Sequence, residues 1–327
     1  MKKTLLLFVF IFFGLQAFAY EESGIRFEDV KYPFPVSFYS VGSNDKNYEM
    51  AYMDLRPQRP NGKVVVLLHG KNFTGAYWEN TANNLVNLGY RVIMPDQIGF
   101  GKSSKPEFYE YSFQQFAYNT KKLLESLGIK KVNMLGHSMG GMLAMRFAIM
   151  YPDMLDKLIL ENPIGLEDWQ NFVSYPPLTH WVNRENSLSM TSMRDYQLKA
   201  YYDGKWKAEY DKWLELQTNP LKSKNYPRAA YNMALIDNMI FTQPVIYEIG
   251  KIKTPTLLII GQRDKTAIGK ELADDKTRAL MGDYKKLGKN AAKEIKNSKL
   301  LEIDGIGHMP HIESFDLFLK TVVDFLD

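Results

Sequence analysis

Cysteine is absent from all 327 residues, which removes thiol nucleophiles, Cys-ligated zinc and iron–sulfur clusters, and with them an acylated N-terminal cysteine as a lipid anchor. An excess of one charge sign is missing too. There are 41 basic and 37 acidic residues, a formal +4, and two of those charges, Lys2 and Lys3, lie in a segment read below as removable. With no Lys/Arg run interleaved with aromatics, this balance excludes a nucleic-acid-binding stripe. No spacing of His, Asp or Glu suits a metal ion, and no Gly-x-Gly-x-x-Gly opens a βαβ unit, so neither a metal nor a dinucleotide cofactor is expected. What is present, 45% hydrophobic and 24% charged residues, describes a globular chain. It is long enough for one large α/β domain with an insertion or for two ordinary domains.

The first nineteen residues read as an export signal. Lys2-Lys3 supplies the positive start, positions 5–13 are unbroken apolar, and Ala17-Phe18-Ala19 gives the small-x-small cleavage pattern, so cleavage is expected after Ala19. The stretch 4–19 is shorter than the ~20 residues of a spanning helix. The expectation is a soluble exported protein of the bacterial periplasm, without a stable membrane anchor or an implied protein partner.

Along the rest of the chain, β-rich apolar runs alternate with helix-period segments, the pattern of a mostly parallel sheet covered by helices. Eight strands are predicted: an antiparallel opening pair at 36–39 and 48–54 around a polar turn at 42–45, then 63–68, 91–94, 131–135, 157–160, 256–260 and 299–303. The short continuous runs should be buried on both faces. Helices are predicted at 78–88, 112–127, 140–150 and 314–326, and the lysine-rich stretch 285–299 as a solvated helix or loop. From 165 to 249 no β-run occurs, and Trp169, Trp181, Trp206 and Trp213 crowd the segment together with many Tyr and Met residues. The predicted fold class is therefore α/β, with residues 20–165 and 250–327 forming one core and 166–249 a helical lid over it.

The chemistry is concentrated in Gly136-His137-Ser138-Met139-Gly140, a G-x-S-x-G that follows a predicted strand and opens a predicted helix. The strand-to-helix turn must be tight enough to strain Ser138, and glycines at 136 and 140 let the neighbouring backbones approach. Serine needs a base, and the chain offers only His69, His137, His180, His308 and His311. His308 is favoured because it lies in the loop after the last strand, behind Gly307; His311, three residues on, is the rival. The third member should be a carboxylate at a strand's carboxyl edge. Asp264, after the strand 256–260, is favoured over Glu161, after 157–160, and over Asp304, which is close to His308 in sequence and better suited to bracing its loop. The chain order Ser138, Asp264, His308 is that of the α/β hydrolases.

On these residues, and on His69-Gly70-Lys71-Asn72-Phe73, Asp96-Gln-Ile-Gly-Phe-Gly-Lys-Ser103 and Gly307-His308-x-Pro310-x-x-Glu313, the chain resembles the α/β-hydrolase superfamily. Within it, the chain is similar to the lidded bacterial serine hydrolases related to epoxide-hydrolase-like and meta-cleavage-product hydrolases. The resemblance implies an oxyanion hole made by the backbone N–H of Met139 and that of either Lys71 or Asn72. The 69–73 loop departs from the glycine-rich form of some lipases, and the choice between those two stays open. A serine at the elbow speaks against the aspartate-nucleophile chemistry of dehalogenases and epoxide hydrolases. Gly101-Lys102-Ser103 could end a P-loop, but position 96 is Asp where that motif needs Gly, so the segment reads as a structural turn. The resulting expectation is a serine hydrolase that cleaves a small or medium apolar carboxylic ester through an acyl-enzyme. The alternatives are the same triad acting on a carbon–carbon or peptide bond, and a non-catalytic binding protein on the same fold.

Overall fold

The computed structural model describes residues 24–43 and 46–327. The predicted signal, 1–19, lies outside them, as do positions 44 and 45 of the predicted opening turn. Eight strands form one sheet: β1 (Ser37–Ser43), β2 (Lys46–Leu55), β3 (Val64–Leu68), β4 (Arg91–Pro95), β5 (Val132–His137), β6 (Leu155–Glu161), β7 (Thr256–Gly261) and β8 (Ser298–Ile303). Their order is β1-β2-β4-β3-β5-β6-β7-β8. β1 with β2 and β2 with β4 are antiparallel, and every later pair is parallel.

The central strands are buried because helices cover both faces. On β5 and β7 every residue is buried, and on β3 only Val64 is partly open. β8 departs from the expectation of two buried faces: most of its residues are half-exposed or exposed and only Ile303 is buried. It is the last strand in the order, so a second neighbour that would exclude water is lacking and polar residues are tolerated there.

α1 (Glu79–Asn87), α2 (Phe113–Ser126), α3 (Met139–Met150), α4 (Leu178–Asn186), α5 (Met190–Ala200), α6 (Asp211–Thr218), α7 (Tyr226–Thr242), α8 (Asp275–Leu280), α9 (Tyr284–Glu294), α10 (Pro310–Glu313) and α11 (Phe315–Leu326) complete the chain. Local chemistry sets several ends. Ser112 caps α2 by accepting from Gln115 N, and Gly128 beyond its last turn takes φ +69°, where a side chain would be strained. α3 is buried almost all round, as a helix between a sheet and its outer layer must be. Between β6 and β7 the described chain contains α4 to α7 and no strand, with α4 packed on α7. Among the described residues no helix is long and apolar enough to cross a membrane. The loops leaving β3, β5, β6, β7 and β8 all open at the carboxyl edge of the parallel strands, where open α/β sheets place their sites.

Candidate active site

The turn from β5 into α3 is as tight as its glycines suggest. Ser138 sits at φ 57°, ψ −119°, a conformation that costs a non-glycine residue about 1–3 kcal/mol. A Cβ at position 136 would lie 2.2 Å from Gly140 O, and one at 140 would lie 2.3 Å from Leu68 O. Larger residues there would push the elbow off the sheet. Met139 is the first residue of α3, so its amide belongs to the unpaired first turn beside Ser138. The 69–73 loop packs directly on the elbow: a Cβ at Gly70 would lie 3.1 Å from Ser138 Cβ.

β7 and β8 deliver the other two residues. His308 Nδ1–H donates to Asp264 Oδ2 at 2.7 Å, and both residues are buried. In the neutral ring this leaves Nε2 as the acceptor, the form a general base needs. Burial pushes the Asp264 carboxyl upward, but the His308 ring and the bonds from His308 and Thr266 outweigh it and hold the acid below its ordinary value. Thr266 N donates to Oδ1 at 2.8 Å, and Asn162 Nδ2 to Oδ2 at 2.8 Å.

The rival residues of the sequence reading are brought together elsewhere. Glu161 Oε1 accepts from both His311 N at 2.7 Å and His311 Nδ1 at 2.8 Å, so the second carboxylate and the second imidazole pair with each other under Trp78, whose ring centroid is 4.5 Å from that of His311. His137 points inward as expected. Its Nδ1 accepts from Tyr77 OH at 2.9 Å, Tyr77 OH accepts from Gly70 N at 3.1 Å, and its Nε2–H donates to His308 O at 2.8 Å. This single chain of donors ties the 69–73 loop, the elbow and the His308 loop together. It also places residue 308 beside the elbow. Burial drives the His137 pKa well down, helped by His308 and His311, so the ring stays neutral.

His69 donates to Gly70 O and accepts from Gln97 N, and His180 lies on α4 beside Glu271. Asp304 is exposed, and the loop it was expected to brace is held by Glu313, which accepts from Gly307 N at 2.9 Å and from Arg263 at 2.6 Å. Asp96 organises the turn 96–103, accepting from Gly75 N, Lys102 N and Tyr32 OH. That turn shows a structural use for the Gly-Lys-Ser sequence.

Two site residues have no motif. Asn162, at φ +35°, bridges β6 and β7 by holding Asp264 and accepting from Gly261 N at 2.9 Å. Its position two residues beyond a predicted strand end was the available signal. Tyr201, just after α5, stacks on His308 with ring centroids 5.0 Å apart and planes at 25°, while its hydroxyl accepts from Asn72 Nδ2 at 3.0 Å. Among 20 tyrosines, nothing in the sequence distinguishes it.

The chamber in front of Ser138 has Ile164, Ile240, Ala267 and Ile268 among its walls. Its cations are Lys71 and Arg184, and both pair with Asp237, at 3.0 Å and 3.3 Å. Lys71 Nζ also bonds Glu185 Oε1 at 2.6 Å. Burial raises the Glu185 pKa to about 7 despite Lys71.

Residues 63–315 match the family model described as alpha/beta hydrolase fold. The chain is 30% identical over 274 residues to a 2-hydroxy-6-oxo-6-phenylhexa-2,4-dienoate hydrolase of Comamonas testosteroni, covering 81% of this chain and 88% of the relative. It is 26% identical to a haloalkane dehalogenase of Mycolicibacterium paratuberculosis, over 73% of this chain and 80% of that one. Among solved structures, a probable hydrolytic enzyme of Pseudomonas aeruginosa PAO1 superposes with a TM-score of 0.91 at 44% identity, covering 93% of this chain and 98% of that one.

Proposed function

Because the chain belongs to the α/β-hydrolase family, we propose that this enzyme is a serine hydrolase of small or medium apolar carboxylic esters, with Ser138, His308 and Asp264 as its triad. The observation that carries the reading is the buried His308–Asp264 hydrogen bond at 2.7 Å, delivered by two sheet-edge loops to the strained elbow that holds Ser138. In this mechanism Ser138 Oγ attacks the acyl carbonyl as its proton passes to His308 Nε2. The backbone N–H of Met139 and that of Lys71 or Asn72 face the developing oxyanion. The leaving alcohol takes the proton from His308, and water, deprotonated by the same ring, releases the acid. Asp264 stabilises the imidazolium without taking its proton. Residues 166–249 act as the lid that excludes water.

A carbon–carbon hydrolase is the second reading, favoured by the dienoate hydrolase relative. A dienoate brings a carboxylate into the site. The two cations of the chamber are already paired with Asp237, and a third buried anion without its own cation is costly, so the neutral ester is preferred. The test is active-site labelling with a fluorophosphonate, in the wild type and in Ser138→Ala, followed by turnover of p-nitrophenyl esters. Labelling of the wild type alone, with ester hydrolysis, is expected. No labelling overturns the serine-hydrolase reading, and labelling without ester hydrolysis moves the assignment to the carbon–carbon bond. Export after removal of residues 1–19 belongs to the same proposal, and a mature chain that begins at Tyr20 in the periplasmic fraction is its expected result.

A further inference from the structure

Beside the chamber that holds Ser138 lies a second one. Its walls are mostly apolar, with Phe73, Phe100, Leu188, Met193, Leu216 and Met233 among them. The two chambers share three wall residues, Lys71, Asn72 and Phe73. Of the two anions that hold Lys71, Asp237 lines only the Ser138 chamber and Glu185 only the apolar one. The ammonium therefore stands between the chambers with one partner on each side, at 3.0 Å and 2.6 Å. The side chains of Lys71, Glu185 and Asp237 are 11%, 3% and 2% exposed.

A buried lysine fixed by two carboxylates is a rigid obstacle, since breaking either contact strands a charge out of water. We propose that Lys71, braced by Glu185 and Asp237, is the specificity-determining partition that confines the substrate's acyl chain to the Ser138 chamber and bars a longer alkyl chain from the apolar chamber behind it. The acyl arm is the one that meets the partition. The leaving alcohol must stay beside His308, which returns the proton to it, whereas the Lys71 ammonium is held by Glu185 of α4 and Asp237 of α7. This inference rests on the ester-hydrolase reading and deepens it to short-chain acyl esters.

The measurement is the ratio of kcat/KM for p-nitrophenyl acetate to that for p-nitrophenyl octanoate, with fluorophosphonate labelling of Ser138 run beside it. The wild type should favour acetate by at least about tenfold. In Lys71→Ala/Glu185→Ala the remaining Arg184 and Asp237 still pair, so the charge balance is kept. Each methylene newly buried is worth about fourfold, and the ratio should swing toward octanoate by at least about tenfold. Adding Leu216→Trp fills the apolar chamber and should cancel that gain. A wild type that hydrolyses both esters equally, a folded double variant with an unchanged ratio, or a gain that survives Leu216→Trp overturns the partition. The wild-type ratio decides even if the double variant does not fold. Failure of the ester reading looks different: neither labelling nor hydrolysis of either ester.

Discussion

Two buried carboxylates, one in the sheet core and one in the helical insertion, respond to burial in opposite ways. Asp264 accepts from His308, Thr266 N and Asn162 and stays below its ordinary pKa. Glu185 has the single ammonium of Lys71, and burial lifts its pKa to about 7. The difference lies in the number and placement of donors. The sheet edge surrounds its anion with neutral dipoles fixed by strand geometry, whereas the insertion buries ions against ions and leaves desolvation largely uncompensated. An acid that must remain ionised belongs in the first setting, and a rigid spacer can be built from the second.

The strongest way to break this contrast is at the core. Ser138→Ala should lower kcat by about 10^6-fold and Asp264→Asn by about 10^4-fold, with both proteins folded by circular dichroism; full ester turnover in Asp264→Asn would remove that residue from the triad. Asn162→Ala takes one donor from Asp264 and should cost about 10- to 100-fold in kcat/KM, a loss that Asn162→Gln does not reproduce if the contact is only steric filler. At the boundary between the regions, Tyr201→Phe keeps the ring over His308 but deprives Asn72 of its acceptor, and about a tenfold fall in kcat with KM little changed is expected; a pure KM effect would assign the ring to substrate binding instead.

The smallest effect lies in the insertion and is read as stability. Folding raises the Glu185 pKa from 4.5 to about 7, so the native chain holds that proton more tightly. Its contribution is fully present below about pH 4.5 and is lost as pH rises through about 7. Glu185→Gln should therefore gain stability over the wild type across this window, by up to about 3 kcal/mol. Denaturation midpoints that run parallel from pH 5 to 8 would show that Glu185 is ionised throughout.

The fold was readable because its strands are short apolar runs and α1, α2 and α3 stop just before Gly89, Gly128 and Pro152. The sheet's parallel core and the positions of its crossovers follow from that alternation. The strand whose burial was misjudged, β8, shows the limit: an apolar run says strand, but whether a second strand flanks it depends on sheet order. At the candidate site, Ser138, Asp264 and His308 could be nominated because each follows a strand in a loop, and the structure brings Asp264 and His308 into contact. The pairing of Glu161 with His311 was not readable, since the two lie 150 positions apart and each entered the sequence reading only as a rival for the triad.

The sequence by itself determined the G-x-S-x-G turn that carries the proposed nucleophile, the absence of any thiol in its place, and the edge of the sheet at which the candidate residues lie. These are properties of local spacing, written within a few residues of each motif. Which carboxylate faces which imidazole, that Asn162 and Tyr201 serve the site, and that Lys71 stands between two chambers were decided only by tertiary structure. Each of these joins residues tens to more than a hundred positions apart, and their meeting is set by sheet order and helix packing rather than by the neighbours of either residue.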